Sequence, residues 1–121
     1  MIHLDTSFLI RALVPGSRED RQLRGFLAAE TPIAISAVAW AEFLSGPLAA
    51  RDLSLAAAVV GEAVPLTADH AAIAAALFNV AGRRRGTFVD CLIAAVAVDA
   101  GASLATANPK DFAGMPGLGL A

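Results

Sequence analysis

Residues 2–10 read Ile-His-Leu-Asp-Thr-Ser-Phe-Leu-Ile, and this stretch decides the fold. Ile2 to Leu4 is a short apolar run suited to a buried strand. Asp5, Thr6 and Ser7 are cap-forming residues, and Phe8, Leu9 and Ile10 then resume the apolar pattern, so the chain reads strand, turn, helix. Asp5 stands at the carboxyl end of that strand. The same punctuation recurs downstream. Pro32 to Ile35 forms a second strand, with Ser36 capping a helix through Trp40, Phe43 and Leu44 to Gly46-Pro47. Ser103 to Thr106 forms another, followed by a turn over Asn108 to Phe112.

The intervening segments are helical. Ser17 caps a helix carrying Leu23, Phe26 and Leu27 on one face. Leu48 to Glu62 is an alanine-rich helix expected to break near Arg51-Asp52, and Val64 to Leu66 is a further short apolar segment. Thr67 caps a helix from Ala68 to about Ala81, ended by Gly82. Thr87 to Asp90 opens a long apolar helix over Cys91 to Ala100, and its lack of a polar face implies burial. An edge strand is expected around Leu118 to Leu120. Short apolar strands alternating with helices describe an α/β domain in three layers, α/β/α, with a mostly parallel central sheet.

With 121 residues the chain is expected to form one domain, residues 1–121. Hydrophobic residues make up 57% and charged residues 17%, which excludes disorder and implies surplus apolar surface for a protein partner. Glu62, Asp69, Arg83 and Asp99 interrupt every apolar stretch before it reaches membrane-spanning length. Met1 to Ile10 lacks the basic start of a secretory signal, and the lone Cys91 forms no internal disulfide, so a cytoplasmic protein is expected. At a net charge of −2, nucleic-acid binding has to rest on a local cluster, and Arg83, Arg84 and Arg85 provide one.

Four acids follow in order: Asp5, Glu42, Asp90 and Asp111. Open parallel sheets bind ligands outside the carboxyl ends of their strands. Asp5, Glu42 and Asp111 reach that edge by topology, and Asp90 joins them if its helix begins there. Carboxylates that converge need a cation, and hard Mg²⁺ or Mn²⁺ suits oxygen ligands and phosphodiester hydrolysis by activated water. The two histidines and single cysteine form no nucleophile–base arrangement. Each acid also has a plainer role: Asp5 as helix cap, Glu42 as a solvated helix residue, Asp90 as a first-turn acid and Asp111 as a turn residue. Glu42, however, has Trp40, Ala41, Phe43 and Leu44 around it rather than polar neighbours. Thr6, Ser7 and Thr106 suit caps, although a hydroxyl beside Asp5 is also able to hold a water on a metal. The arginines form either a solvated loop or a grip on flanking phosphates. Cys91, Phe88, Trp40 and His3 are expected in the core, and His70 on the surface.

Four blocks carry a resemblance: LDTSFLI from Leu4, AEFLSG around Glu42, RRRGTFVDCLIAA around Asp90, and LATANPKDF near the end. In this order and at this length the chain resembles PIN-domain endoribonucleases of the VapC type, the toxins of bacterial toxin–antitoxin pairs. The resemblance implies that Asp5, Glu42 and Asp90 bind Mg²⁺ or Mn²⁺, with Thr6 or Ser7 supporting a water. It carries the fourth acid to Asp111. Many PIN domains place that acid where this chain has Asn108, an amide that could still bind a metal through water, whereas many VapC-like members place it three residues later, at Asp111. The resemblance also implies a homodimer, an RNA substrate such as tRNA, rRNA or mRNA, and a cognate VapB-like antitoxin that wraps the toxin and blocks its acidic groove with a basic residue. Two other readings remain: a phosphoacceptor, receiver-like signalling domain, against which stands the placement of Asp90 at a helix start, and a PIN-fold binding module without catalysis, hinted at by Asn108.

Overall fold

The computed structural model describes all residues, 1–121. In chain order the elements are β1 (Ile2–Leu4), α1 (Thr6–Ala12), α2 (Arg18–Ala28), β2 (Ile33–Ile35), α3 (Ala37–Ser45), α4 (Ala50–Val60), α5 (Ala68–Val80), α6 (Phe88–Asp99), β3 (Ser103–Ala105), one 3₁₀ turn (Pro109–Phe112) and β4 (Gly119–Leu120). The four strands form one parallel sheet in the order β2-β1-β3-β4. Helices cover it to give three layers, α/β/α, as the alternating pattern implies. No helix is long and apolar enough to cross a membrane.

Register positions the site. Leu4 lies level with Ile35 on β2 and Ala105 on β3, so the next residues, Asp5, Ser36 and Thr106, emerge side by side at the carboxyl edge. Leu4, Phe8, Leu9, Ile35, Phe43, Ile93 and Leu104 are buried at the sheet's centre. Ala94, Ala95 and Ala97 let α6 lie close against this layer. Ser17, Ser36 and Thr67 each accept a backbone N–H three residues on, as local cap chemistry dictates.

Several expectations are corrected. Helix α4 is unbroken, and Arg51 and Asp52 sit in its first turn. Asp52 there faces the positive end of the helix dipole, so a charged pair that reads as a break is compatible with a beginning. Val64 makes only a single bridge to Ser36, because Pro65 has no N–H with which to extend a strand. His70 is buried rather than exposed. Its Nδ1 accepts the Thr67 N–H at 3.0 Å, which leaves the proton on Nε2, 3.0 Å from Asp99 Oδ2. One imidazole thus caps α5 and ties it to the end of α6. His3 is buried as expected, with Nδ1 lacking any partner. Burial first, then His70 and the chain's amino terminus, hold its pKa below the ordinary value. Trp40 is half-buried and stacks on Phe43, and Phe88 is 47% exposed rather than in the core.

Candidate active site at the carboxyl edge of the sheet

Asp5 occupies the cap position of α1, but its side chain caps nothing. Its Oδ2 instead accepts hydrogen bonds from Ser7 Oγ at 2.6 Å and Thr106 Oγ1 at 2.8 Å. The same hydroxyls are held from behind: Ala107 N–H donates to Ser7 and Asn108 N–H to Thr106. The end of β3 is thereby laced to the start of α1, with Asp5 buried at 5% exposure and Oδ1 unpaired. The capping role weighed for Asp5 is absent, and the hydroxyls weighed as caps orient its carboxylate.

Glu42 lies in the second half of α3 and is exposed, although its sequence neighbours are apolar. Thr6 Oγ1 donates to its Oε1 at 2.9 Å, bringing α1 and α3 together at the site. Asp90 falls in the first turn of α6, half-buried. Asp111 is exposed on the 3₁₀ turn, whose backbone closes through its N–H to Asn108 O at 3.0 Å. Asn108 is exposed as well.

Electrostatics link all four acids. The Asp90 carboxyl is pushed up to about 6, first by burial and then by the negative charges of Asp5, Asp111 and Glu42. Asp90 therefore lies within electrostatic reach of the other three acids. No three acids, histidines or cysteines are gathered closely enough to hold a metal ion. Asp5 is buried, Asp90 half-buried, and Glu42 and Asp111 are exposed, so the four acids are open to solvent rather than sealed in a cage.

Arg83, Arg84 and Arg85 are all exposed on the loop before α6. Arg84 reaches this neighbourhood electrostatically: burial and Asp90 raise the Cys91 thiol, whereas Arg84 pulls it down. A cleft of about 160 Å³ adjoins Thr106 and brings in Arg18 and Gln22 from α2. Sequence reading gave no signal for these two, which meet the strand end only through packing. A larger groove, about 550 Å³, lies between α1, α2 and α4, lined by Leu13, Val14, Leu23, Leu27, Leu55 and Val59. None of the four acids lines it.

Residues 2–118 match the family model of the PIN domain. The chain belongs to the PIN domain family. Solved structures agree with that assignment. A VapBC2 complex from Rickettsia felis, bound to a DNA fragment from its promoter, is 25% identical with a TM-score of 0.78, covering 100% of this chain and 98% of that one. A toxin–antitoxin complex from Klebsiella pneumoniae is 29% identical with a TM-score of 0.72, covering 98% and 95%. VapC20 from Mycobacterium tuberculosis, a toxin that cleaves the sarcin–ricin loop, is 23% identical with a TM-score of 0.68, covering 98% of each chain, a likeness of fold. No curated protein matches the chain by sequence. The resemblance to VapC-type PIN domains carried by the four sequence blocks is matched by these folds.

Proposed function

We propose that this PIN domain is a VapC-type toxin, a divalent-metal-dependent endoribonuclease that cuts RNA by attack of an activated water. The observation that carries the reading is four acids within reach of one another and with no ion pair to a cation of the chain: the Asp90 carboxyl is raised first by burial and then by the charges of Asp5, Asp111 and Glu42. The donor chemistry fits Mg²⁺ or Mn²⁺: every candidate ligand is a carboxylate oxygen, with no thiolate or imidazole among them. Asp5, Glu42, Asp90 and Asp111 would hold the ion. When bound, it supplies the positive charge that lowers the pKa of a water and stabilises the leaving oxygen.

The chain's own residues do the rest. Ser7 and Thr106 hold Asp5 in one orientation through Oδ2, leaving Oδ1 without a hydrogen-bond partner. Thr6 does the same for Glu42. Arg83 to Arg85 grip phosphates beside the scissile one through charge. Asp111 is taken as the fourth ligand in this reading because it offers a carboxylate whose charge reaches Asp90, where Asn108 offers an amide. Water attack leaves a 5′-phosphate and a 3′-hydroxyl on the fragments.

In this reading the partner is a VapB-like antitoxin. Its apolar segment suits the groove between α1, α2 and α4, whose rim carries Arg24, Arg51, Asp20 and Asp52, and a basic residue from it would neutralise the acids. Exposed apolar residues such as Leu44 and Val80 suit a homodimer. A second reading, a PIN-fold module that binds RNA without cutting it, is favoured by the amide at Asn108 and by the absence of three ligands gathered closely enough to hold a metal ion. The receiver-like alternative is not retained, since Asp90 opens α6 and does not end a strand.

The deciding experiment treats total cellular RNA with the purified protein in Mg²⁺ or Mn²⁺, with EDTA and Asp90→Asn as controls, and maps the fragment ends. Discrete metal-dependent cuts lost in the variant are expected. Absence of cutting by folded, antitoxin-free protein in either metal would transfer the assignment to the binding module.

A further inference from the structure

Helix α5 ends in a turn with Gly82 at φ 80° and Arg83 at φ 55°. Arg83 N–H donates back to Phe78 O at 2.9 Å, and this left-handed step folds the side chain over the helix it has just left. Its guanidinium lies 5.4 Å from the centre of the Phe78 ring, with Nη1 on Asn79 Oδ1. Phe78 in turn meets Phe88 edge to face, with ring centres 5.4 Å apart and planes at 90°. Phe88 is the first residue of α6 and remains 47% exposed. Thr87, which donates to Arg84 O at 2.7 Å, holds the loop around it.

A half-exposed ring, braced by a second ring that itself carries an arginine and preceded in the chain by Arg84 and Arg85, has the composition of a single-strand binding shelf. Such surfaces pair a basic track with an aromatic face on which a base stacks. The alternative occupant is a second copy of this chain. Two-fold pairing through this patch would set the arginine run against itself, and none of the three arginines is paired with a carboxylate. Charge complementarity therefore favours a polyanion.

We propose that Phe88, backed by the Phe78 ring that carries Arg83, stacks an unpaired RNA base outside the acidic site, so that single-stranded RNA gains a contact that duplex RNA lacks. The placement follows from helix geometry. Phe88 and Asp90 are two positions apart on α6 and project about 200° from each other, so one nucleotide cannot serve both. The base on Phe88 belongs to a different nucleotide of the strand. This inference rests on the nuclease reading for the identity of its ligand.

The test measures affinity for a single-stranded RNA of mixed sequence, about 12 nucleotides long, and for its duplex, in an Asp90→Asn background that prevents cutting. Phe88→Ala is expected to weaken single-strand binding about 10- to 100-fold and leave duplex binding unchanged. Phe88→Trp should retain affinity, whereas Phe88→Leu should lose it like Ala, separating ring from bulk even where Ala perturbs folding. Scanning an abasic nucleotide along the strand should find one position where the wild-type ring loses its advantage and Phe88→Ala loses nothing further. The stack is overturned if Leu binds like Phe, if single strand and duplex weaken equally, or if Phe88→Ala changes only the oligomeric state. Cleavage by the wild type with unchanged binding by Phe88→Ala removes the stack and leaves the nuclease standing. A wild type that neither binds nor cuts RNA removes both.

Discussion

The two halves of the acidic site are built differently. Asp5 is buried at the end of β1, its carboxylate held by hydroxyls at 2.6 and 2.8 Å from α1 and from the end of β3. Asp90 is half-buried at the start of α6, beside an exposed basic loop, and its pKa is raised to about 6 by burial and its acidic neighbours. One acid is positioned by register and hydrogen bonds, the other is held in an unfavourable field. A site assembled this way has a geometric reference point already in place and stored repulsion that a bound cation relieves.

The largest expected effect tests whether both halves are needed. Asp5→Asn and Asp90→Asn should each reduce metal-dependent cleavage about 100-fold or more. They should part company in thermal melting of the metal-free protein, where Asp90→Asn alone gains stability, on the order of 1 kcal/mol after discounting for solvent screening. Equal stabilisation by both would erase the distinction drawn between the halves.

Next comes the hydroxyl lacing. Thr106→Val keeps the shape of the side chain but removes its hydrogen bond to Asp5, and is expected to lower activity about 10-fold and stability by about 1 kcal/mol. Kinetics and denaturant melts would check this, and a silent Thr106→Val would mean that Asp5 is positioned by the backbone alone.

The third prediction concerns pH. Because the folded pKa of Asp90 lies above its ordinary 3.8, the unfolded chain releases that proton first. Metal-free stability should therefore decline as pH rises from about 4 to about 6. His3, with its lowered pKa, acts oppositely, losing stability as pH falls below its ordinary value. The difference curve between wild type and Asp90→Asn isolates the acid, and a flat difference over that window would contradict the proposed field.

The smallest change in fold should come from the loop. Changing Arg83, Arg84 and Arg85 together to Ala should leave melting within about 0.5 kcal/mol, while weakening RNA binding and flattening its salt dependence. An unchanged salt slope would take the loop out of the interface.

Much of this architecture is legible from the chain because its signals are short-range. Ser17, Ser36 and Thr67 each satisfy an N–H three residues away, so their cap chemistry is written in adjacent residues. What escapes is burial. His70 and Phe88 exchange their expected places, His70 going inside through Thr67 and Asp99, and Phe88 remaining outside at the first turn of α6. Neither outcome is visible without knowing how α5 and α6 pack. Glu42, with apolar neighbours in sequence, is nevertheless exposed because α3 turns that position to the open edge and Thr6 meets it there.

By itself the sequence determined the kinds of elements, most of their ends, and the supply of carboxylates near strand and helix boundaries. Those features depend on apolar periodicity and on hydrogen bonds spanning a few residues. Only the tertiary structure decided the strand order β2-β1-β3-β4 and the register that sets Thr106 on Asp5 across 101 residues. The same packing half-buries Asp90 and brings it within reach of the charges of Asp5, Asp111 and Glu42, which together raise its pKa. Charges act through space, and their distances exist only once the sheet and helices have closed around a common core.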